Sequence, residues 1–295
     1  MTIRPDRIAI NPLQWVASPD GWIDPALAPS LGHQLQTIRD AGITAVHSAV
    51  PAGMAAEDYA AALADHGLTA APGYVPVRLS ADAAEKRRFR ANAARVADEH
   101  AALGVPTVFL ALGMAKDAAR VAHPAVGHDA RRDRLEQARD LLAEISGIIR
   151  AAGITPAFHP HVGTWAETDE ETRFVLDTVD ASLLGFGPDI GHLAWAGADA
   201  VRLVRDYADR VASVHIKDLD LAVASHARDE GLDYRGSVLA GLWSEPGHGG
   251  ADIDGFVRAL PEDFDGWLII EVDRGAQQTP EESVRLCGQW AAKYV

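Results

Sequence analysis

ITPAFHPHVG at 154–163 and LLGFGPDIGH at 183–192 decide how this chain is expected to fold. Each is a short apolar run ending in groups able to ligate a metal: His159 and His161 in the first, Asp189 and His192 in the second. The pattern returns in VASVHIKD (211–218) with His215, and in WLIIEVD (267–273) with Glu271. A helix-like stretch separates each run from the next. In a barrel of parallel strands, that placement brings all four groups to one rim, where such barrels keep their chemistry.

Outward from these segments, the whole chain alternates apolar runs with amphipathic stretches. Strands are expected at RIAINPL (7–13), ITAVHSAV (43–50), LTAAPGYV (68–75), VPTVFLAL (105–112), ITPAFHPH (154–161), LLGFGPDI (183–190), VASVHIKD (211–218) and WLIIEV (267–272). Several are apolar throughout, which suits strands covered on both faces. Helices are expected near 30–41, 55–66, 81–103, 130–152, 169–179, 199–209, 252–260 and 280–294. Ala41-Gly42-Ile43, His66-Gly67-Leu68, Leu103-Gly104-Val105 and Ala152-Gly153-Ile154 place a glycine where a helix must close before the next strand. Eight strands alternating with eight helices make a single α/β domain, a (β/α)8 TIM barrel over 1–295, the expected fold. A doubly wound open sheet fits less well. Asn11-Pro12-Leu13-Gln14-Trp15 is not the glycine-rich phosphate turn that such sheets place after strand one. The stretch about 219–251, which contains DYRGSVLAGLWSEPGHGG, reads as a long irregular loop over the active rim.

Charge narrows the partners. With 27 basic and 42 acidic side chains the formal net charge is −15, which repels a phosphodiester backbone. Lys86-Arg87-Arg88 and Arg131-Arg132 read as solvated helix faces and do not restore a nucleic-acid partner. A single cysteine, Cys287, excludes an intrachain disulfide and has the spacing of a packed helix residue. No window reaches the roughly 20 apolar residues of a membrane span, and MTIRPDRIAI lacks a signal-peptide core. A cytoplasmic protein is expected, with a small-molecule sugar or cyclitol as partner, a homo-oligomer allowed, and neither nucleic acid nor membrane.

Carboxylates mixed with imidazoles on rigid strand ends suit one divalent ion (Mn, Co, Mg, Fe or Zn, with Mn or Co favoured) in Lewis-acid chemistry. The segments IAINPLQW, FHPHVGTW, DIGHLAWAGAD, VHIKD, LWSEPGHGGADI and WLIIEVD resemble, in this order, the xylose isomerase-like TIM-barrel superfamily of sugar isomerases and epimerases. The resemblance covers nearly the whole chain and is closest to the inosose dehydratases. It implies a metal held at the ends of strands five to eight, here by His159, Asp189, His215 and Glu271.

Two departures matter. Sugar epimerases of this superfamily usually carry Glu-Pro-His or Glu-Asn-His on strand five, where this chain has His159-Pro160-His161. Their strand-five and strand-eight glutamates exchange a proton on two faces of one carbon. With His159 in the first place only Glu271 remains, so symmetrical epimerisation is not expected. The histidine-rich strand five followed by Gly163-Thr164 resembles inosose dehydratases instead. On strand two, relatives commonly place a glutamate where this chain has His47, which reads either as a substrate contact or as a structural histidine bonded to a carbonyl.

The expected function is therefore a metal-dependent dehydratase of a keto-cyclitol or keto-sugar, working through an enolate or enediolate. Sugar isomerase or epimerase, keto-glycoside-cleaving lyase and non-catalytic sugar-binding barrel are the alternatives. The net charge and only four clear ligands disfavour an endonuclease of abasic sites. Glu271 is expected to be ligand and also base or orienter; His192 and Lys217 are candidates for handling the leaving or migrating oxygen; His161 binds substrate or holds His159. For Lys217 the bland reading is a salt bridge to Asp218 or to a carboxylate ligand. Asn11, Trp15, His47, His248 and Arg274 are the candidate substrate-binding residues; packing at the barrel mouth is the equal alternative for Trp15, and pairing with surface acids the alternative for Arg274. Gln14, Glu245, His123 and His128 with Arg131 carry weaker signals.

Overall fold

A two-residue period along the apolar runs sorts side chains between a barrel interior and an outer helix layer. The computed structural model describes residues 4–294. Its strands in chain order are β1 (Ile8–Asn11), β2 (Ala45–His47), β3 (Thr69–Ala71), β4 (Tyr74–Val77), β5 (Thr107–Leu112), β6 (Thr155–His159), β7 (Gly185–Phe186), β8 (Val214–Ile216), β9 (Asp218–Leu219), β10 (Trp243–Ser244) and β11 (Leu268–Glu271). One parallel sheet runs β3-β2-β1-β11-β8 and another β4-β5-β6-β7. β3 and β4 are halves of one stave broken at Pro72-Gly73. The lower half pairs Ala70 with Val46, and the upper pairs Tyr74 with Phe109. On the other side single bridges, Phe186 to Val211 and Asp189 to His215, link β7 to β8. Eight staves thus close a (β/α)8 barrel.

Gly73 is required at the break. A Cβ there would lie 2.2 Å from Ser48 O, and its N–H donates to His100 Nε2 at 2.8 Å. Inside the barrel, Ala9, Ala45, Ala71, Ala157 and Ile269 pack around Phe109. The alternate residues Ile8, Ile10, Val46, Val214, Ile216, Ile270 and Val272 face the helices in one cluster, and Phe158 does so in another. Phe109 fills the interior directly beneath the site, so truncating it to alanine is expected to cost about 3–5 kcal/mol.

The outer helices Leu31–Asp40, Ala56–Asp65, Ala83–Ala102, Arg132–Ala151, Asp169–Thr178, Ala200–Asp206, Ile253–Ala259 and Pro280–Ala291 lie where the sequence periodicity places them. Side chains of Ser30, Asp82, Thr168, Asp199, Asp252 and Thr279 cap their N-termini. At the stops, Gly104 takes φ +68° and Gly153 φ +79°.

The stretch 219–251 is a correction. It is not irregular: it holds helices Leu221–Glu230 and Tyr234–Leu239 and an antiparallel pair in which Trp243 faces Leu219. Asp220 and Asp233 cap the two helices, and Gly231 ends the first at φ +68°. Its aromatic residues bury against Trp195 rather than lying in solvent. No helix among the described residues is long and apolar enough to cross a membrane.

Candidate metal and active site

The same two-residue period that puts alanines inside the barrel raises the site above them. Ala9 is followed by Asn11, Ala45 by His47, Ala157 by His159, and Ile269 by Glu271 and then Asp273. On β8 the inward order is Ser213, His215, Lys217. Each functional group is therefore the inward residue next above the packed plug. The Phe109 ring lies 4.1 Å from that of His215 and 5.9 Å from that of His159, forming the floor.

Asp189 is the centre of the cluster. As N-cap of helix Ile190–Trp195 its Oδ1 accepts from His192 N at 3.0 Å. Its Oδ2 lies 3.6 Å from His215 Nδ1 and 4.0 Å from His159 Nε2, and His215 Nδ1 is 3.9 Å from Glu271 Oε2. Donors bound about 2.0–2.2 Å from one ion stand ~3–4 Å from each other, so these separations suit a common cation. Asp189 Oδ2 and both ring nitrogens of His215 are buried without a hydrogen-bond partner. Buried polar atoms left this way need an explanation, and an ion supplies one. Three carboxyl groups (Asp189, Glu271, Asp273) against one ammonium (Lys217) also favour a dication. The residues present fit the metal.

Lys217 controls the charge balance. Its Nζ is 2.6 Å from Glu271 Oε1, 2.9 Å from Asp273 Oδ1 and 3.2 Å from His192 Nε2, and 4.8 Å from the centre of the Trp243 ring. Burial alone would lower this lysine, but Asp273, Glu271 and Asp189 override it and hold it well above its ordinary value. Burial likewise works to raise Glu271, yet the Lys217 ammonium, by charge and by hydrogen bond, keeps it well below the carboxylate range. Asp273 shares the same lysine, and burial pushes it to about 6. Burial favours the neutral form of four imidazoles: it lowers His47 to about 3 and His161 to about 4, and His159 and His192 well below the ordinary value. His161 Nδ1 lies 2.7 Å from Val162 O. A carbonyl only accepts, so Nδ1 carries the hydrogen and Nε2 keeps the lone pair.

A cavity of about 480 Å³ opens over this floor, and Asn11, His47, His159, His161, Glu271 and Arg274 line it. Asn11 donates to Glu271 Oε2 at 2.5 Å, and Arg274 Nη1 to Ser18 O at 2.8 Å. Lys217 and His192 are each 1% exposed and, like Asp189 and His215, stand just outside this lining. Two of the expected substrate contacts lie outside the lining. Trp15 is outside the lining: its ring N–H donates to Glu281 at 3.0 Å and its ring packs in the core. His248 is exposed and outside it too. Asp218 Oδ2 accepts from Gly247 N and Gly249 N at 2.8 and 2.9 Å, which clamps the loop with His248 turned to solvent.

Asp218 does not pair with Lys217. It points the other way along β9, and its Oδ1 also accepts from Leu219 N and Ala251 N. In His-x-Lys-Asp the first and third residues thus face the site, and the fourth holds the loop. Glu245 is likewise structural, accepting from Ala276 N at 3.1 Å. Gln14 reaches Cys287 Sγ at 3.6 Å, and His123 stacks on His128 at 4.3 Å. None of these last residues lines the cavity.

Sequence reasoning missed Asp273, Tyr74, Trp22, Met114, Lys116 and Tyr234, all in the lining. Asp273 carried a signal, standing two residues beyond Glu271 on one strand face. Tyr74 follows the Pro72-Gly73 break and had none.

The sequence matches the xylose isomerase-like TIM barrel family over residues 35–290. Inosose dehydratase of Geobacillus kaustophilus (strain HTA426) is 36% identical over 137 residues, 44% of this chain and 44% of that protein. The rhizopine catabolism protein MocC of Rhizobium meliloti is 34% identical over 138 residues, 46% of this chain and 42% of that protein. The chain thus aligns with less than half the length of these curated relatives. Among solved structures, the IolI protein with a binding zinc atom superposes with TM-score 0.70 at 16% identity, covering 98% of both chains. An L-ribulose 3-epimerase superposes with TM-score 0.68 at 17% identity, covering 98% of this chain and 94% of that one. At those identities the likeness speaks for the fold alone. With the family matched over most of its length and eight staves closing around the site, the chain belongs to the xylose isomerase-like TIM barrel family.

Proposed function

We propose that this protein is a divalent-metal-dependent hydro-lyase that removes water from a keto-cyclitol of the inosose type or from a related keto-sugar. The observation that carries the reading is the convergence of His159, Asp189, His215 and Glu271, with Asp189 Oδ2 and both His215 ring nitrogens unpartnered, beside a cavity that His159 and Glu271 line. The partial alignments with inosose dehydratases support the reaction class. A bound dication would polarise a ketone and acidify the C–H beside it. Mn or Co remains the favoured ion, and a cytoplasmic, small-molecule enzyme the favoured setting.

The chain's own residues do the rest. Glu271, kept ionised by Lys217 and positioned by Asn11, is ligand and orienter. His161, neutral and with its free lone pair on Nε2, is placed to take or return a proton at the cavity wall. Lys217 and His192 hold the charge and tautomer of that wall. The polar groups that stave five offers to the cavity are histidines, so no glutamate stands there to oppose Glu271. That arrangement favours one-sided proton removal with loss of hydroxide over two-carboxylate epimerisation.

The test is proton NMR in D2O with metal-loaded protein and a panel of keto-inositols and keto-sugars. Loss of water from a keto-inositol is the expected result. Solvent deuterium incorporation without water loss would replace the reading with isomerisation, and no change in any ketone would remove it.

A further inference from the structure

The cavity lining divides between the polar groups Asn11, His47, His159, His161, Glu271 and Asp273 and an apolar set of Leu13, Trp22, Ile23, Met114, Tyr234 and Val238. Three near-parallel rings lead from one half to the other. Trp22 and Tyr234 are 3° apart in plane at 6.1 Å, and Tyr234 and His161 10° apart at 6.3 Å. The Lys116 ammonium sits 4.8 Å over Trp22. Trp22, Ile23 and Lys116 also border a second hollow, formed with Ser18, Asp20 and Asp24, so the apolar wall runs out to solvent.

The segment that carries Trp22 is built in place. Ala17 bridges to Ile23, Ser18 N donates to Trp22 O at 2.8 Å, and Arg274 fastens Ser18 from the far side of the mouth. Ile23 nevertheless stays 40% exposed.

Size points the same way. At ~30 Å³ per water, the 480 Å³ cavity holds roughly sixteen waters, whereas a ring ketone polyol of about twelve non-hydrogen atoms replaces well under half of them. A bare polyol would leave the aromatic wall wet. A flat ring laid against it would take both surfaces out of water.

We propose that the natural substrate is a keto-cyclitol or keto-sugar bearing a second, apolar-faced ring as an ether or glycoside, lodged against Trp22, Met114, Tyr234 and Val238. This rests on the reading above that the ketone end lies at the metal floor.

The test uses metal-loaded protein and calorimetric titration with two unreactive ligands, an inositol and its mono-O-benzyl ether. The ether is expected to bind at least tenfold more tightly. That ratio should fall below threefold in Trp22→Ala and in Ile23→Asp, the latter an exposed position where folding is not at risk. Melting by circular dichroism confirms that each variant is folded. Equal affinities in the parent protein, or an unchanged ratio in the folded variants, overturns the subsite. So does failure of the ether to bind while keto-inositols are still consumed. If neither polyol binds and no keto-inositol is consumed, the dehydratase reading falls and the subsite with it.

Discussion

Lys217 Nζ lies 2.6 Å from Glu271 Oε1, and this ion pair sets the protonation of the cavity floor. Without it, burial would push Glu271 up toward a neutral acid, unable to orient a cation. Lys217→Met keeps the volume and removes the charge, leaving Glu271 and Asp273 without their cation. Stability is expected to drop by about 3–5 kcal/mol, and turnover by at least ~100-fold. Urea denaturation and initial rates on a keto-inositol check both.

Asp189 divides its oxygens between a helix cap and the metal cluster, and the two duties separate by substitution. Asparagine still caps, so Asp189→Asn should melt within ~0.5 kcal/mol of the parent while its divalent-ion affinity falls at least ~100-fold. Asp189→Ala should lose the ion and about 1 kcal/mol more. Calorimetric metal titration beside thermal melts distinguishes the two duties.

Gly191 is where Lys217 passes the helix after Asp189. A Cβ there would lie 2.7 Å from both Lys217 Cγ and Lys217 O. Gly191→Ala therefore has to displace the lysine or its backbone, with an expected cost of about 1–3 kcal/mol and a matching loss of turnover. Wild-type kinetics in this variant would show that Lys217 needs no fixed position.

His100 gives the fold a pH-dependent latch remote from the chemistry. Its Nδ1–H donates to Val96 O at 2.7 Å, and its Nε2 accepts from Gly73 N, so the bonded form is neutral. Burial lowers it from 6.5 to about 4. Below pH 6.5 the unfolded chain takes the proton and the folded one does not. The contribution is therefore complete above pH 6.5, declines as pH falls to about 4, and is then exhausted. Over that window it amounts to about 3 kcal/mol. Between pH 7 and pH 5 the parent should lose about 2 kcal/mol more stability than His100→Gln, read from urea midpoints.

Much of this was legible because barrel strands use one period and helices another. Runs such as WLIIEVD and VASVHIKD placed both the staves and the inward ligands, since His215 and Glu271 share a face with the packed interior. What stayed hidden came from elsewhere in the chain. Trp22 reaches the cavity through a loop fastened by Arg274, and Tyr234 through a helix started by Asp233, and neither is periodic with the strands. Of the two readings open for Trp15, the structure shows the packed one, because a partner distant in sequence, Glu281, draws its N–H into the core. His248 misled because a glycine-rich loop looks free to close, whereas four backbone N–H groups bind that loop and its base to Asp218.

The central claim is that one divalent cation is gripped by groups from four neighbouring staves. Anomalous diffraction from crystals grown with manganese tests it most directly. The expected result is a single ion about 2.0–2.3 Å from His159, Asp189, His215 and Glu271. No anomalous peak at Asp189 Oδ2, or a manganese bound only by surface carboxylates, would contradict it.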